Sequence, residues 1–373
     1  MTKRRAARPD GAAAQPDEPT LRLRDPIDVL AAIPYVIGYQ PTNSVIVIGM
    51  RGKRLVFTAR VDLLAAGAPP RDVREQVDHL VSIVLRQDAT GVLLVGFGPA
   101  ERVGPIVAGL REAYRRAGLA VLEALRAADG RYWSYLCSDP VCCPSEGSPY
   151  DVNASPVPAQ WTVAGRVALP DRETYENQIK PIGGVSRISV RQATRRADER
   201  LFELIARPPD EQTVEKALMA AGTCAIDEAI ERQRDGRRLD DEEVAWLTVL
   251  LASIPVRDVA WAHISGPVEA LERHRALWLD VMRRAEPDLI AAPASLFAFA
   301  AWRCGEGSLA RLALERVLDE EPDYNMAVLL HNALIHGLPP SALNGFPGRT
   351  VRRPPAQRRR KRSSSRRAGS RRG

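Results

Sequence analysis

Two rhythms of apolar positions divide the chain near residue 170. Up to that point, short apolar runs alternate with helical stripes. Ser44-Val45-Ile46-Val47-Ile48-Gly49 is a continuous apolar run, as a strand buried on both faces requires. Arg51-Gly52 marks a turn, and Leu55 to Val61 returns as a second strand. The spacing of Val73, Val77, Leu80, Val81 and Val84 predicts a helix over about residues 70–86. A strand over 91–96 follows, then a helix over about 100–117 with Val103, Ile106, Val107, Leu110, Ala113 and Tyr114 on one face. Residues 119–127 read as a strand, Asp129-Gly130 as a hairpin turn, and 131–137 as its returning partner. Ahead of all these, Asp25-Pro26 opens a helix as N-cap and first residue. It runs towards Pro34, with Gly38 as a later stop. This order predicts an α/β fold, a mixed β-sheet flanked by helices.

Pro144, Pro149, Pro156 and Pro158 then outline a loop of roughly twenty residues, and 161–168 reads as one more strand. Beyond Asp171 the pattern is helical almost to the tail. Val190, Ala193, Ala197, Leu201, Leu204 and Ile205 make one stripe, which Pro208-Pro209 ends. Glu286-Pro287-Asp288 and Glu321-Pro322-Asp323 lie 35 residues apart and bracket a helix pair over 293–304 and 308–320. The small residues Ala301, Gly305, Gly307 and Ala310 sit where that pair would turn and touch. The spacing resembles a tetratricopeptide-like hairpin. Fewer than three copies are visible, so the expectation is helix-hairpin packing and not a peptide-binding array. The expected organisation is a disordered arm (1–20), an α/β domain (21–170), an α-helical domain (171–340) and a disordered Arg-rich tail (341–373).

Charge changes this picture at one end only. The chain carries a formal +7, but residues 347–373 hold twelve Arg/Lys and no Asp/Glu. The remainder is mildly acidic, with 41 basic against 46 acidic residues. Arg358, Arg359, Arg360, Lys361, Arg362, Arg366 and Arg367 form a run without aromatics. Such a tail can neutralise phosphates without sequence preference, so non-specific nucleic-acid binding is a candidate role. The longest apolar stretch, 289–302, is too short for a bilayer and contains Pro293 and Ser295. The basic start lacks an apolar segment after it, and five cysteines are an odd number for a disulfide scaffold. Together these point to a cytoplasmic protein with no membrane partner.

Candidate chemistry concentrates in residues 129–144, which hold Tyr132, Trp133, Tyr135 and three of the five cysteines, Cys137, Cys142 and Cys143. On a strand, Arg131, Trp133, Tyr135 and Cys137 share one face, and Tyr132, Ser134 and Leu136 share the other. That first face either packs against helices or opens as an aromatic pocket with a guanidinium at one end. The candidate ligand or partner site is therefore Arg131, Trp133, Tyr135, Cys137, Asp139, Cys142 and Cys143. Zinc favours thiolate pairs two to four residues apart and four ligands in all. The spacing Cys137-x4-Cys142-Cys143, with no histidine between His79 and His263, argues against a metal. It also leaves no visible base for a working thiol.

Gly96-Phe97-Gly98-Pro99 follows a strand and opens a helix, a place where phosphates bind. It lacks a third glycine and a following lysine, so Gly96 and Gly98 form a weak phosphate-loop candidate and an ordinary tight turn is the simpler reading. Neither a Gly-x-Ser-x-Gly elbow nor a His-Glu-x-x-His helix occurs. No catalytic residue or cofactor is assigned. Asp240-Asp241-Glu242-Glu243 reads as a helix start complementing its dipole.

Three segments carry a family resemblance. Asp28-Val29-Leu30-Ala31-Ala32-Ile33-Pro34-Tyr35-Val36-Ile37-Gly38-Tyr39-Gln40-Pro41 with Ser44 to Gly49 is the first. Trp133 to Cys137 with Asp139-Pro140 and Cys142-Cys143-Pro144 is the second. Ala300-Ala301-Trp302, Gly305-Glu306-Gly307, Ala310 and Ala313-Leu314-Glu315-Arg316 make up the third. Together they resemble the domain of unknown function 4192 family of high-GC Gram-positive bacteria, over roughly residues 21–340. The resemblance implies no activity, cofactor or catalytic residue. The expectation is a non-catalytic module that binds a small molecule or a protein. An enzyme with a pocket at the sheet edge is the alternative, and nucleic-acid association through the tail is a second one.

Overall fold

A computed structural model describes residues 24–209 and 213–343. The Arg-rich run from Arg358 to Arg367 and the N-terminal arm lie outside the described residues. Helix α1 (Pro26–Ile37) begins where the sequence predicts. Asp25 is extended, its carboxylate accepts the Asp28 N–H at 2.9 Å, and Pro26 takes the first helical position. Pro34 lies within the helix. The chain leaves at Gly38, whose N–H donates to the Pro34 carbonyl at 2.8 Å.

Strand β1 (Ser44–Arg51) pairs antiparallel with both β2 (Arg54–Asp62) and β3 (Gly91–Phe97). Strand β3 runs parallel to β4 (Ala120–Ala128). Their crossover is helix α3 (Ala100–Arg116), and α2 (Pro70–Leu85) precedes β3. Strand β4 pairs with β5 (Arg131–Ser134), and β5 with the two-residue β6 (Ser148–Pro149). The sheet order is β2-β1-β3-β4-β5-β6, a mixed sheet as the pattern predicts.

Period-two alternation sorts the apolar runs between two cores. Val45, Val47, Val92, Leu94 and Ala124 meet Val77, Leu80, Val103, Ile106, Leu110 and Tyr114 of α2 and α3. Ile46, Ile48, Leu93, Val95, Leu125 and Ala127 face the other way, towards Leu30, Ile33 and Ile37 of α1. This second core does not stop at α1. It continues without a break through Tyr175 into the helices beyond residue 180.

Helices α4 (Val157–Val163) and α5 (Arg172–Asn177) precede them, and the helical half begins with α6 (Gly184–Ala206), α7 (Val214–Arg234) and α8 (Asp241–Leu251). They continue as α9 (Ile254–His263), α10 (Val268–Arg284), α11 (Ala291–Arg303), α12 (Gly307–Glu320) and α13 (Asn325–Ile335). The acidic run before α8 is a full capping box: the Glu243 N–H donates to Asp240 and the Asp240 N–H to Glu243. Every residue of α11 from Ala291 to Trp302 is buried. The α11–α12 pair is the expected hairpin, with Ala301 and Ala310 fully buried. Among the described residues no single helix is long and apolar enough to cross a membrane.

Three local expectations are corrected. Residues 161–168 are not a strand: Trp161 lies in α4, where its ring stacks on Tyr35 with centroids 6.2 Å apart. The proline-bounded loop is not structureless either. It contains β6, a 3-10 turn at Val152–Ala154 and α4. The buried Ser155 hydroxyl donates to Asp28 at 2.7 Å, tying this segment to α1. Finally, the α6 stripe frays at its end, where Ile205 is exposed.

Because one apolar cluster joins the sheet to the helical half, Ile33→Ala should cost about 2–5 kcal/mol and should loosen both. Ile33 is fully buried at this junction. Far-ultraviolet dichroism and tryptophan fluorescence should follow one coincident urea transition, shifted to lower urea. Two separated transitions would contradict a shared core.

Candidate functional site

Strand β5 ends at Ser134, three residues earlier than the hairpin pattern predicts, because the Ser134 side chain takes over the backbone hydrogen bonding. Its hydroxyl oxygen accepts the Leu136 and Cys137 N–H groups at 3.1 and 3.2 Å. The same hydroxyl donates to Glu123 at 3.2 Å. The chain then turns at Asp139-Pro140, where the Asp139 carboxylate accepts the Val141 N–H at 2.9 Å and its carbonyl the Cys143 N–H at 2.7 Å. Asp and Pro in that order are favoured at the first two positions of such a turn.

The aromatic face is filled by the protein itself. Arg126, directly across from Trp133 in the β4–β5 register, lays its guanidinium 3.4 Å from the centre of the indole. The indole N–H donates to the Ser145 carbonyl at 3.0 Å. Gly147 closes over the ring at φ +82°, and a Cβ there would fall 2.5 Å from the indole. Tyr135 packs into the apolar cluster beneath α2 and α3, and burial raises its pKa. Arg131 donates to the Gly147 carbonyl at 2.6 Å. Of the two readings of this face, these contacts favour packing over an open aromatic pocket. Arg131, Trp133 and Tyr135 hold the following loop in place. On the opposite face Tyr132 meets Tyr150 edge-on at 6.2 Å.

What the loop leaves exposed is its tip: Leu136, Asp139, Val141 and Cys142, with Cys137 and Cys143 half-buried behind them. The turn at Asp139-Pro140 undoes the linear spacing of the cysteines. The sulfur atoms of Cys137, Cys142 and Cys143 all lie within 4.8 Å of one another. All five cysteines are free thiols. The Cys143 thiol donates to Cys137, and with the Asp139 N–H and the Cys142 thiol it favours the Cys137 thiolate, lowering the Cys137 pKa. Holding that proton on Cys137's behalf pushes Cys143 up to about 12.

The glycine loop has a packing role. A Cβ at Gly96 would run into Val103 of α3. Gly98, at φ +142°, lies against Leu63, and its carbonyl accepts from Arg126 at 3.4 Å. Arg102 fills the adjoining space, donating to Asn43 and to the Leu63 and Leu64 carbonyls. The first turn of α3 carries Glu101, whose charge would repel a phosphate there.

A family model described as a domain of unknown function (DUF4192) matches residues 26–341. The chain belongs to this family. Comparison with curated proteins and with solved structures finds no match. In this DUF4192 chain, two of the segments that carry the family pattern meet at a second place, away from the β5–β6 loop. Tyr39 and Tyr175 pack with ring centres 5.0 Å apart, and the Leu309 N–H donates to the Tyr175 hydroxyl. Beside them lies a cavity of about 50 Å³ lined by Tyr39, Arg60, Arg172, Tyr175, Ser308 and Arg311. Its arginines are paired, Arg60 and Arg172 with Asp62 at 2.7 and 3.0 Å and Arg311 with Glu315 at 2.9 Å. Sequence reasoning did not assemble this group, because only the tertiary fold joins residues so far apart along the chain.

The thiol geometry makes a directional prediction. Cys137 should alkylate with iodoacetamide at lower pH than Cys224, whose hydrogen bond to Glu228 at 3.2 Å raises its pKa. Cys143→Ala removes the main donor to the Cys137 thiolate, so the Cys137 alkylation profile should move to higher pH. Peptide mass spectrometry across a pH series reads both effects. An unchanged Cys137 profile in Cys143→Ala would contradict the assigned hydrogen bond.

Proposed function

We propose that this protein is a non-catalytic binding module whose recognition surface is the exposed tip of the loop between β5 and β6. The observation that carries this reading is the division of labour within the hairpin. Arg131, Trp133 and Tyr135 are committed to internal contacts, while Leu136, Val141 and Cys142 remain exposed beside the thiol cluster. Val141 is 91 % exposed on a turn pinned from both sides. An apolar side chain exposed on a hydrogen-bonded turn suits a partner contact, since the turn lowers the ordering cost left for binding.

The competing enzyme reading needs a concave site that joins Gly98, Asp62 or Asp139, and Cys137. Two clefts among the described residues lie elsewhere. One is the small ion-paired cavity at Tyr39. The other, an open cleft of about 430 Å³, is lined by Ile254, Arg257, Tyr324 and their neighbours. In that cleft Arg257 is engaged by Asp258 at 2.7 Å and by the Tyr324 hydroxyl at 3.2 Å. These placements favour the binding module. Cytoplasmic location is part of the same proposal.

Native mass spectrometry of the full chain, isolated from cells that naturally make it, tests the reading. The wild type should retain a protein or small-molecule partner. Leu136→Asp with Val141→Asp should lose it, and Cys224→Ser should keep it. Retention by the loop variant, with loss in Arg257→Ala or Tyr324→Ala, would overturn the loop as the recognition surface.

A further inference from the structure

The linear spacing of the cysteines argues against a metal, but linear spacing is a proxy for where the sulfurs end up. Here they end up together. Three sulfur atoms lie within 4.8 Å of one another. Three thiolates on one tetrahedral zinc ion, at about 2.3 Å each, stand roughly 3.8 Å apart. That spacing falls within the 4.8 Å that encloses the three sulfurs here.

The loop backbone is already fixed around the cluster. Ser134 holds the Cys137 N–H, the Asp139 carbonyl holds the Cys143 N–H, and the Asp139 N–H donates to the Cys137 sulfur. A backbone N–H aimed at a ligating sulfur also lowers the charge that the sulfur must carry, as outer-shell donors do around bound metals. Trp133, Arg126 and Gly147 brace the same loop from the sheet side. The three thiols are thus arranged by ordered structure, and Cys142 gives the cluster an exposed entry side.

We propose that Cys137, Cys142 and Cys143 bind a single thiophilic d10 metal ion of the zinc class through three thiolates. Among the described residues the group of closely placed donors ends at three. A tetrahedral ion would therefore keep its fourth position for water or for a donor from a bound partner, as open zinc sites do. Binding converts three thiols to thiolates and releases their protons to solvent. The assignment of the fourth position to a partner rests on the binding-module reading above. The three-thiolate site rests on its own geometry.

The test uses the reduced full chain, loaded with zinc and desalted, with cobalt(II) as an optical probe of thiolate ligation. The wild type should retain about one zinc per chain and develop a thiolate-to-cobalt charge-transfer band. The Cys137→Ser, Cys142→Ser, Cys143→Ser triple variant should lose both, with its far-ultraviolet dichroism unchanged. Cys224→Ser should keep both. Equal zinc in wild type and triple variant, or no cobalt band in the reduced wild type, would overturn the site. If the site fails while Leu136→Asp with Val141→Asp still releases the partner, only this inference is lost. If zinc binds and its removal leaves partner retention unchanged, the partner-donor role of the fourth position is overturned.

Discussion

The sheet face formed by Ile46, Ile48, Leu93, Val95 and Leu125 must be covered, and α1 alone cannot cover it. This constraint shapes the rest of the molecule. Val29, Leu30, Ile33 and Ile37 of α1 shield part of that face, and the apolar cluster continues from there through Tyr175 into α10, α11 and α12. Helix α11 has the matching requirement. With every residue from Ala291 to Trp302 buried, it offers no polar face to water and must be enclosed by other helices. The α/β half and the helical half each supply surface that the other needs. Asp28 shows a separate, local cost. It is a buried carboxylate where α1 meets the segment before α4, tolerated because Ser155 and the Arg24 N–H donate to it.

This shared core determines where chemistry can appear. The central strands are committed on both faces, so the sheet offers freedom only at its ends. Strand β5 sits next to the short β6 at one edge, and there the chain leaves the sheet at Ser134 for a long excursion. Internal contacts of Arg131, Trp133 and Tyr135 turn that excursion into an ordered loop. The loop can then hold three thiols close together at the surface, where a side-chain cluster without such bracing would lose its geometry to conformational entropy.

Much of the fold was legible because local signals agreed with tertiary ones. Asp25-Pro26, the run from Ser44 to Gly49, the Asp129-Gly130 turn and the acidic start of α8 each name their own element. The failures have physical causes. Residues 161–168 show short alternation, which cannot separate strand from helix over so few positions. The informative signal was Pro158 in the first turn of α4, a place where proline favours a helix start. Strand alternation correctly grouped Trp133 with Tyr135, but it could not show that Arg126, on the neighbouring strand, would cover the indole. Linear cysteine spacing could not show that the Asp139-Pro140 turn brings sulfurs of residues five and six positions apart within 4.8 Å of one another. The Tyr39–Tyr175 cavity left no local signal at all.

The central claim is that an ordered edge loop presents three sulfurs to one ion, with no fourth His, Cys, Asp or Glu donor beside them among the described residues. X-ray absorption at the zinc edge of the zinc-loaded full chain counts those donors directly. The account predicts three sulfur neighbours near 2.3 Å and one lighter oxygen or nitrogen neighbour. Four sulfurs, or a shell dominated by oxygen and nitrogen, would contradict it.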